Sequence, residues 1–217
     1  MDARVGLGVA RWRCSACALG TWHWQGTTAA VDYAYPWASL ITQLKYQRDT
    51  ALAKPLAHLM LGNATCAAAL QQADLWLGVP IAPSKLGLRG FNQTHLLLDH
   101  ARAAHPHWSG ARHWAQSRHY VQRATSGSDQ QGLRRAQRLS NVYGAFTLEP
   151  NAHRAIAGQH IVLVDDVYTT GATLSALAQT VQAAGPASVQ VCVLARTPEH
   201  HPTLEHGADW GYPTPVK

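Results

Sequence analysis

The residues with the most chemistry in this chain stand together in "IVLVDDVYTTGAT", residues 161–173. Asp165 and Asp166 follow an apolar run of β-formers, and Thr169, Thr170, Gly171, Ala172 and Thr173 come next. Two like charges at the rim of a buried strand repel each other unless donors or a cation meet them. A ribose 2′,3′-diol offers two O–H donors at that spacing, and each hydrogen bond to a charged group contributes about 1.5–3 kcal/mol. The loop behind the pair suits an anion. At a helix start the orphan N–H groups of Thr170 to Thr173 can converge on a phosphate, helped by the helix dipole. Gly171 admits positive φ and close approach of a ligand, Ala172 adds little bulk, and the threonines add hydroxyls. Thr173 can also cap the helix. The chemistry expected is a clamp on ribose 5-phosphate, with the acids on the diol and the loop on the 5′-phosphate. A Mg²⁺ held between the sugar hydroxyls and a diphosphate would relieve the repulsion further.

The same loop excludes other phosphate sites. It contains neither GxxxxGK[ST] nor GxGxxG, so Walker-type triphosphate and dinucleotide motifs are absent. Two plainer readings stand beside the clamp: an acidic turn before an ordinary capped helix, and an acidic metal site of the receiver type. The second needs carboxylates from several strands, and the sequence offers no candidates.

Charge points to anionic partners. Eighteen Lys and Arg face 12 Asp and Glu, a formal net charge of +6. Lys85, Arg89, Arg102, Arg112, Arg118, Arg123, Arg134, Arg135 and Arg138 fall in one stretch, opposed there only by Asp99 and Asp129. Such a stretch suits phosphates, nucleotides or nucleic acid, or else forms a solvated basic surface. Apolar residues are 47% of 217, enough for one domain with a sizeable core. No run of eighteen apolar residues and no signal-peptide pattern is present, so a cytoplasmic chain without a membrane span is expected. Cys66 and Cys192 read as core residues of a helix and a strand, and Cys14 and Cys17 form a lone CxxC. The histidines of "HPHWSGARHW" and "EHHPTLEH" lack metal-site spacing and read as exposed loop residues.

The elements that must hold the acidic pair alternate along the chain. Pro36 opens a helix with Trp37, Leu40, Ile41 and Leu44 on one face. "DTALAKPLAHLMLG" gives a second helix with Asp49 or Thr50 as cap. A buried strand from about Leu75 to Val79 precedes a polar loop, "SKLGLRGFNQ", and a helix in "FNQTHLLLDHARAAH". "HYVQR" and "VYGAFTL" are short strands around a polar loop, "ATSGSDQQG", and a short helix, "LRRAQRLSN". Strand Ile161–Val164, helix Thr173–Ala184 and strand Val189–Leu194 complete the pattern. Continuously apolar strands alternating with helices predict an α/β fold, a parallel central sheet flanked by helices. Ligands of such sheets bind beyond the carboxyl ends of the strands, where Asp165 to Thr173 would lie.

"VLVDDVYTTGAT" resembles the signature of type I phosphoribosyltransferases, which bind phosphoribosyl pyrophosphate. "LKYQRD" at 44–49, "RGFNQ" at 89–93, "QRLSNVYGAF" at 137–146 and "LART" at 194–197 resemble the ComF-type (competence protein F) subgroup in order and spacing. The resemblance implies a phosphoribosyltransferase-like domain over 31–198 with a variable hood, an appendage at 1–30 and an irregular tail at 199–217. It implies that Asp165 and Asp166 hold the ribose hydroxyls, that Thr169 to Thr173 bind the 5′-phosphate, and that Val167 between them also lines the substrate. Lys85 and Arg89 would face the pyrophosphate, Arg123 to Arg138 would form a lid, and Mg²⁺ would reach Asp166 through the substrate. Related chains carry an N-terminal zinc ribbon with two cysteine pairs. Here only Cys14 and Cys17 fit, with His23 a candidate third ligand, so a remnant without zinc is favoured over a zinc site.

Physical chemistry agrees with those roles. Loss of pyrophosphate builds positive charge on the sugar and negative charge on the leaving group, which Lys85, Arg89 and Mg²⁺ would meet. A closing lid would exclude water. The expected activity is transfer of ribosyl phosphate to an unidentified acceptor, linked to DNA uptake. The alternative is a non-catalytic competence factor that binds single-stranded DNA or docks on helicase and recombination-mediator proteins.

Overall fold

The computed structural model describes residues 22–123 and 144–198. Its centre is a four-stranded parallel sheet in the order β1 (Thr27–Asp32), β6 (Ser188–Arg196), β5 (His160–Tyr168), β2 (Leu75–Gly78). A smaller antiparallel pair joins β3 (Val121–Arg123) to β4 (Phe146–Leu148). This is the α/β architecture that the alternation predicts.

Successive residues of β5 enter opposite cores, so the strand has no polar face. Val162 and Val164 pack with helices α1 (Trp37–Thr42), α2 (Ala53–Gly62), α3 (Ala64–Gln72), α5 (Gln93–Ala104) and α6 (Ser109–Ser117). Ile161 and Leu163 pack on the other side with α7 (Pro150–Ile156), α8 (Ala172–Gln182) and the β3–β4 pair. α8 presents Leu174, Leu177, Ala178 and Val181 to that core, a stripe at helical spacing. Cys66 and Cys192 are both fully buried in the first core, as expected.

Several elements differ from the sequence-based expectation. β5 does not stop at Val164. It runs on to Tyr168, because β6 extends to Arg196 and pairs with it at Asp165↔Val193, Val167↔Ala195 and Tyr168↔Arg196. The acidic pair therefore lies inside the strand. "SKLGLRGFNQ" is not a loop throughout: α4 (Pro83–Arg89) occupies most of it, with Pro83 in its first turn and Gly90 closing it at φ 82°. β1 falls where the sequence shows no period, so the sheet takes in residues on both sides of position 31. α6 begins within "HPHWSGARHW", where a loop was expected. It packs so closely that a Cβ on Gly110 would lie 2.2 Å from the Trp76 ring.

Of the expected lid, Arg123 to Arg138, the first residue ends β3, with its guanidinium 5.3 Å from the centroid of the Phe146 ring; the rest of it, with Arg134, Arg135 and Arg138, and the expected short helix lie outside the described residues, as do Cys14, Cys17 and the tail from 199. Among the described residues no helix is long and apolar enough to cross a membrane.

Candidate functional site

β5 delivers both chemical groups of the site from one strand end. Beyond Tyr168 the chain turns through exposed Thr169 and Thr170 to Gly171, which caps α8 at φ 74°. The cap is Gly171 rather than Thr173, because that left-handed backbone is open to glycine without strain. The helix then begins with the Ser175 N–H donating to the Gly171 carbonyl at 2.8 Å. The first-turn N–H groups, those of Ala172 and Thr173 among them, have no partners within the helix and line its open end. A weak contact of 3.4 Å runs from the Ala172 N–H to Thr170 Oγ1. The base of the turn is fastened to β6: Thr197 donates to the Tyr168 carbonyl through its N–H at 2.9 Å and its hydroxyl at 3.2 Å. Val167 is half-buried against the first core, so its side chain shapes the site without donating to it.

The acidic pair is asymmetric. Asp166 is buried, and its Oδ2 lies 2.7 Å from Lys45 Nζ; the two side chains are 6% and 16% exposed. The ammonium neutralises this oxygen by proximity without hydrogen-bond alignment. Asp165 Oδ1 accepts the Asp166 backbone N–H at 2.8 Å and lies 3.4 Å from the Thr94 hydroxyl. Burial, and then the Asp166 charge, push the Asp165 carboxyl well above the usual carboxylate range, against the pull of the Asp166 N–H and the Lys45 ammonium. Repulsion within the pair is thus met in two ways, by a cation on one acid and by suppressed ionisation of the other.

Lys45 joins the site without a signal in its residue type or spacing. Its motif, "LKYQRD", was singled out without a role for the lysine. Lys45 sits on a π-helical turn, Gln43–Gln47, that follows α1 directly and ends at Arg48 with φ 58°. In this turn Leu44 is buried, Lys45 meets Asp166 and Tyr46 is exposed. Turns of this kind appear often at functional sites. What marks it is its place next to a core leucine, at the end of a helix whose apolar face packs on the sheet.

The basic residues expected to face a pyrophosphate lie on α4. Lys85 is exposed there and makes no contact with the acidic pair. Arg89 donates to Gln93 Oε1 at 2.9 Å and stands 5.1 Å from the centroid of the Tyr46 ring. The Arg48 guanidinium donates to the Leu88 carbonyl. Asn92 accepts the Thr94 N–H at 3.0 Å and donates to the Val79 carbonyl at 3.0 Å, which ties the start of α5 to the end of β2. The structure therefore brings Asp165, Asp166, Lys45 and Thr94 together, with the Gly171 turn following at the end of the same strand, while Tyr46 and Gln93 hold Arg89.

A divalent ion held directly by Asp166 does not fit this arrangement, since the buried Oδ2 already faces an ammonium. Among the described residues no group of three or more His, Cys, Asp or Glu side chains is placed to hold a metal ion. The His23 carbonyl accepts from Gln182 Nε2 at 2.9 Å. Cys14 and Cys17, expected as the remnant of a zinc ribbon, fall outside the described residues.

The chain is similar to known proteins along most of its length. The model of the phosphoribosyl transferase domain matches residues 116–210. The DNA utilization protein YhgH of Escherichia coli (strain K12) is 35% identical over 188 residues, covering 85% of this chain and 78% of that protein. Its counterpart in Salmonella typhimurium is 35% identical over 187 residues with the same shares. Competence protein F of Haemophilus influenzae is 26% identical over 186 residues, 84% of this chain and 78% of that protein. With an acid pair and a glycine-capped turn on the central strand, and with these relatives along most of its length, the chain belongs to the ComF-type (competence protein F) family and carries the phosphoribosyltransferase fold.

Proposed function

We propose that this protein binds phosphoribosyl pyrophosphate, or the ribose phosphate of a nucleotide, and transfers ribosyl phosphate to an acceptor in the service of DNA utilization. One observation carries the reading: the Asp165–Asp166 pair and the open end of α8 lie on the same strand–turn–helix unit. Acid oxygens stand at one end and first-turn N–H groups without partners in the helix at the other, an arrangement that would suit a sugar diol and its 5′-phosphate. Arg89, fixed by Gln93 and Tyr46, would meet the pyrophosphate, with Lys85 beside it on α4. Positive charge there favours the transition state, in which the leaving group gains charge. Mg²⁺, when bound, would supply charge on the diphosphate of the ligand. The link to DNA rests on the printed names of the relatives, a DNA utilization protein and a competence protein.

The test is isothermal titration of phosphoribosyl pyrophosphate into the full chain with Mg²⁺, alongside pyrophosphate release with a panel of bases and amines. Binding by the wild type and its loss in the Asp165→Asn/Asp166→Asn double variant is the expected result. Equal binding by both proteins would remove the reading.

A second reading is favoured by the surface beside the site. Tyr46 is 71% and Leu88 70% exposed, flanked by Arg48, Lys85 and Arg89. Aromatic and basic side chains together suit a single nucleic-acid strand or a competence helicase surface. Salt-sensitive binding of single-stranded DNA that survives the double variant, without pyrophosphate release, would favour this reading over catalysis.

A further inference from the structure

The cation at the acidic pair can be identified if the site takes a ribose phosphate as proposed above. Asp166 Oδ2 is shut off from solvent, and a buried carboxylate without a counter-charge is strongly disfavoured. The cation against it is Lys45, at 2.7 Å. Lys45 is not a surface lysine that happens to reach an acid. Its side chain is 16% exposed, and its turn is held from both sides. Leu44 before it is in the core, and Tyr46 after it lies against Arg89. Arg48, in a left-handed conformation, fastens the end of the turn to the Leu88 carbonyl on α4.

We infer that Lys45 is the resident counter-cation of Asp166, so that the site binds a phosphorylated pentose without a divalent ion, and a metal ion, when present, is held by the ligand's diphosphate and not by Asp166. The ammonium leaves the acid pair with too little net negative charge to attract a second cation. It also holds the Asp166 side chain in place at the strand end, beside Asp165. Lys45 is thus a positioning residue that acts through Asp166. The π-helical turn has a functional reason on this account, because it delivers the lysine to the strand end while Leu44 stays in the core.

Ribose 5-phosphate, which has no diphosphate to carry a metal, is the probe. It is titrated into the full chain in EDTA and in excess Mg²⁺, and Mn²⁺ broadening of the Asp165 and Asp166 amide signals is recorded without ligand. The wild type is expected to bind equally in both buffers and to show no Mn²⁺ broadening at the pair. Lys45→Met is expected to bind about tenfold more weakly in EDTA, the loss of one charge-assisted contact, to recover with Mg²⁺, and to gain the broadening. Three results would overturn the inference: Mg²⁺-dependent binding by the wild type, undiminished binding by Lys45→Met in EDTA, or Mn²⁺ broadening of the wild-type pair. If Lys45→Met does not fold, the wild-type measurements decide, and the Lys45→Met/Asp166→Asn variant is expected to fold because no uncompensated charge remains. If no form of the protein binds ribose 5-phosphate, the ribose-phosphate reading fails. The Mn²⁺ comparison then still judges Lys45: broadening in the single variant alone upholds its role, and any other pattern refutes it.

Discussion

The Tyr168 hydroxyl stands 2.5 Å from where a Cβ on Gly171 would lie, with ring atoms Cζ and Cε2 at 2.8 and 3.0 Å. The turn between the acidic pair and α8 is therefore closed from within by its own first side chain. Gly171 is also at φ 74°, so alanine there meets both a backbone penalty and a clash. Gly171→Ala is expected to cost about 1–3 kcal/mol of stability in urea unfolding and to abolish ribose-phosphate binding. Adding Tyr168→Phe removes the nearest atom but not the ring carbons or the backbone penalty, so it restores only part of the stability. An alanine variant as stable as the wild type would contradict this turn geometry.

Asp165 predicts an opposition between stability and function. Its raised carboxyl pKa, caused first by burial and then by the Asp166 charge, means that the folded state holds a proton the unfolded chain releases. Stability from this group is present at pH below the ordinary carboxylate range and is lost as pH rises above it. Asp165→Asn keeps an oxygen for the Asp166 N–H and removes the titrating group. The variant is expected to be more stable than the wild type at neutral pH, with an advantage that shrinks on acidification, while ribose-phosphate binding weakens. Thermal unfolding from pH 4 to pH 8 reads both trends, and an advantage independent of pH would rule out this cause.

The strand–turn–helix unit around Asp165 was legible in the sequence because its determinants are local: an apolar run, two acids and a glycine at the turn. The run of Val162 to Val164 likewise announces a strand covered on both faces. What escaped depends on partners distant in sequence. Asp165 to Tyr168 stay in the strand only because β6 continues alongside them. β1 has no pattern of its own and is a strand by pairing with β6. α4 hides behind two glycines and a polar start, yet Pro83 and Gly90 bound it in the ordinary way. Lys45 was hidden by periodicity itself, since a π-turn breaks the spacing used to assign helix faces.

Arg89 is held by two contacts of different kinds, and substitutions can separate them. Tyr46 is 71% exposed, so Tyr46→Ala is expected to change stability by less than about 0.5 kcal/mol. It removes the surface 5.1 Å from the Arg89 guanidinium, a cation–π contact of about 0.5–1 kcal/mol at an exposed site. Arg89→Lys keeps the charge but loses the planar fork toward Gln93. Both variants are expected to weaken phosphoribosyl pyrophosphate several-fold and to leave ribose 5-phosphate unchanged, because only the first ligand reaches α4. Equal weakening of both ligands, measured by calorimetry, would place Arg89 outside the pyrophosphate subsite.

His95 is expected to weaken the fold in acid. Its ring lies edge-on to Trp114 with centroids 5.2 Å apart, its Nε2 is buried without a hydrogen-bond partner, and a Cβ on Gly78 would come within 3.0 Å of its Cδ2. Burial, and then the Arg118 charge, hold its pKa down to about 4, against the pull of Asp99 and the Gly78 carbonyl. The folded protein keeps this imidazole neutral where the unfolded chain protonates it. The stabilising contribution is complete above about pH 6.5, the ordinary histidine value, and drains away as pH falls toward 4. His95→Phe has no proton to gain and lies at the same Trp114 edge. It is expected to remove up to about 3 kcal/mol of the acid-induced loss in that window, on the scale of 1.36 kcal/mol per pKa unit. Because Thr94, the next residue on α5, touches Asp165, wild-type ligand binding should weaken across the same acid range only where unfolding begins. A variant that unfolds along the same acid curve as the wild type would assign the limit to the carboxylates instead.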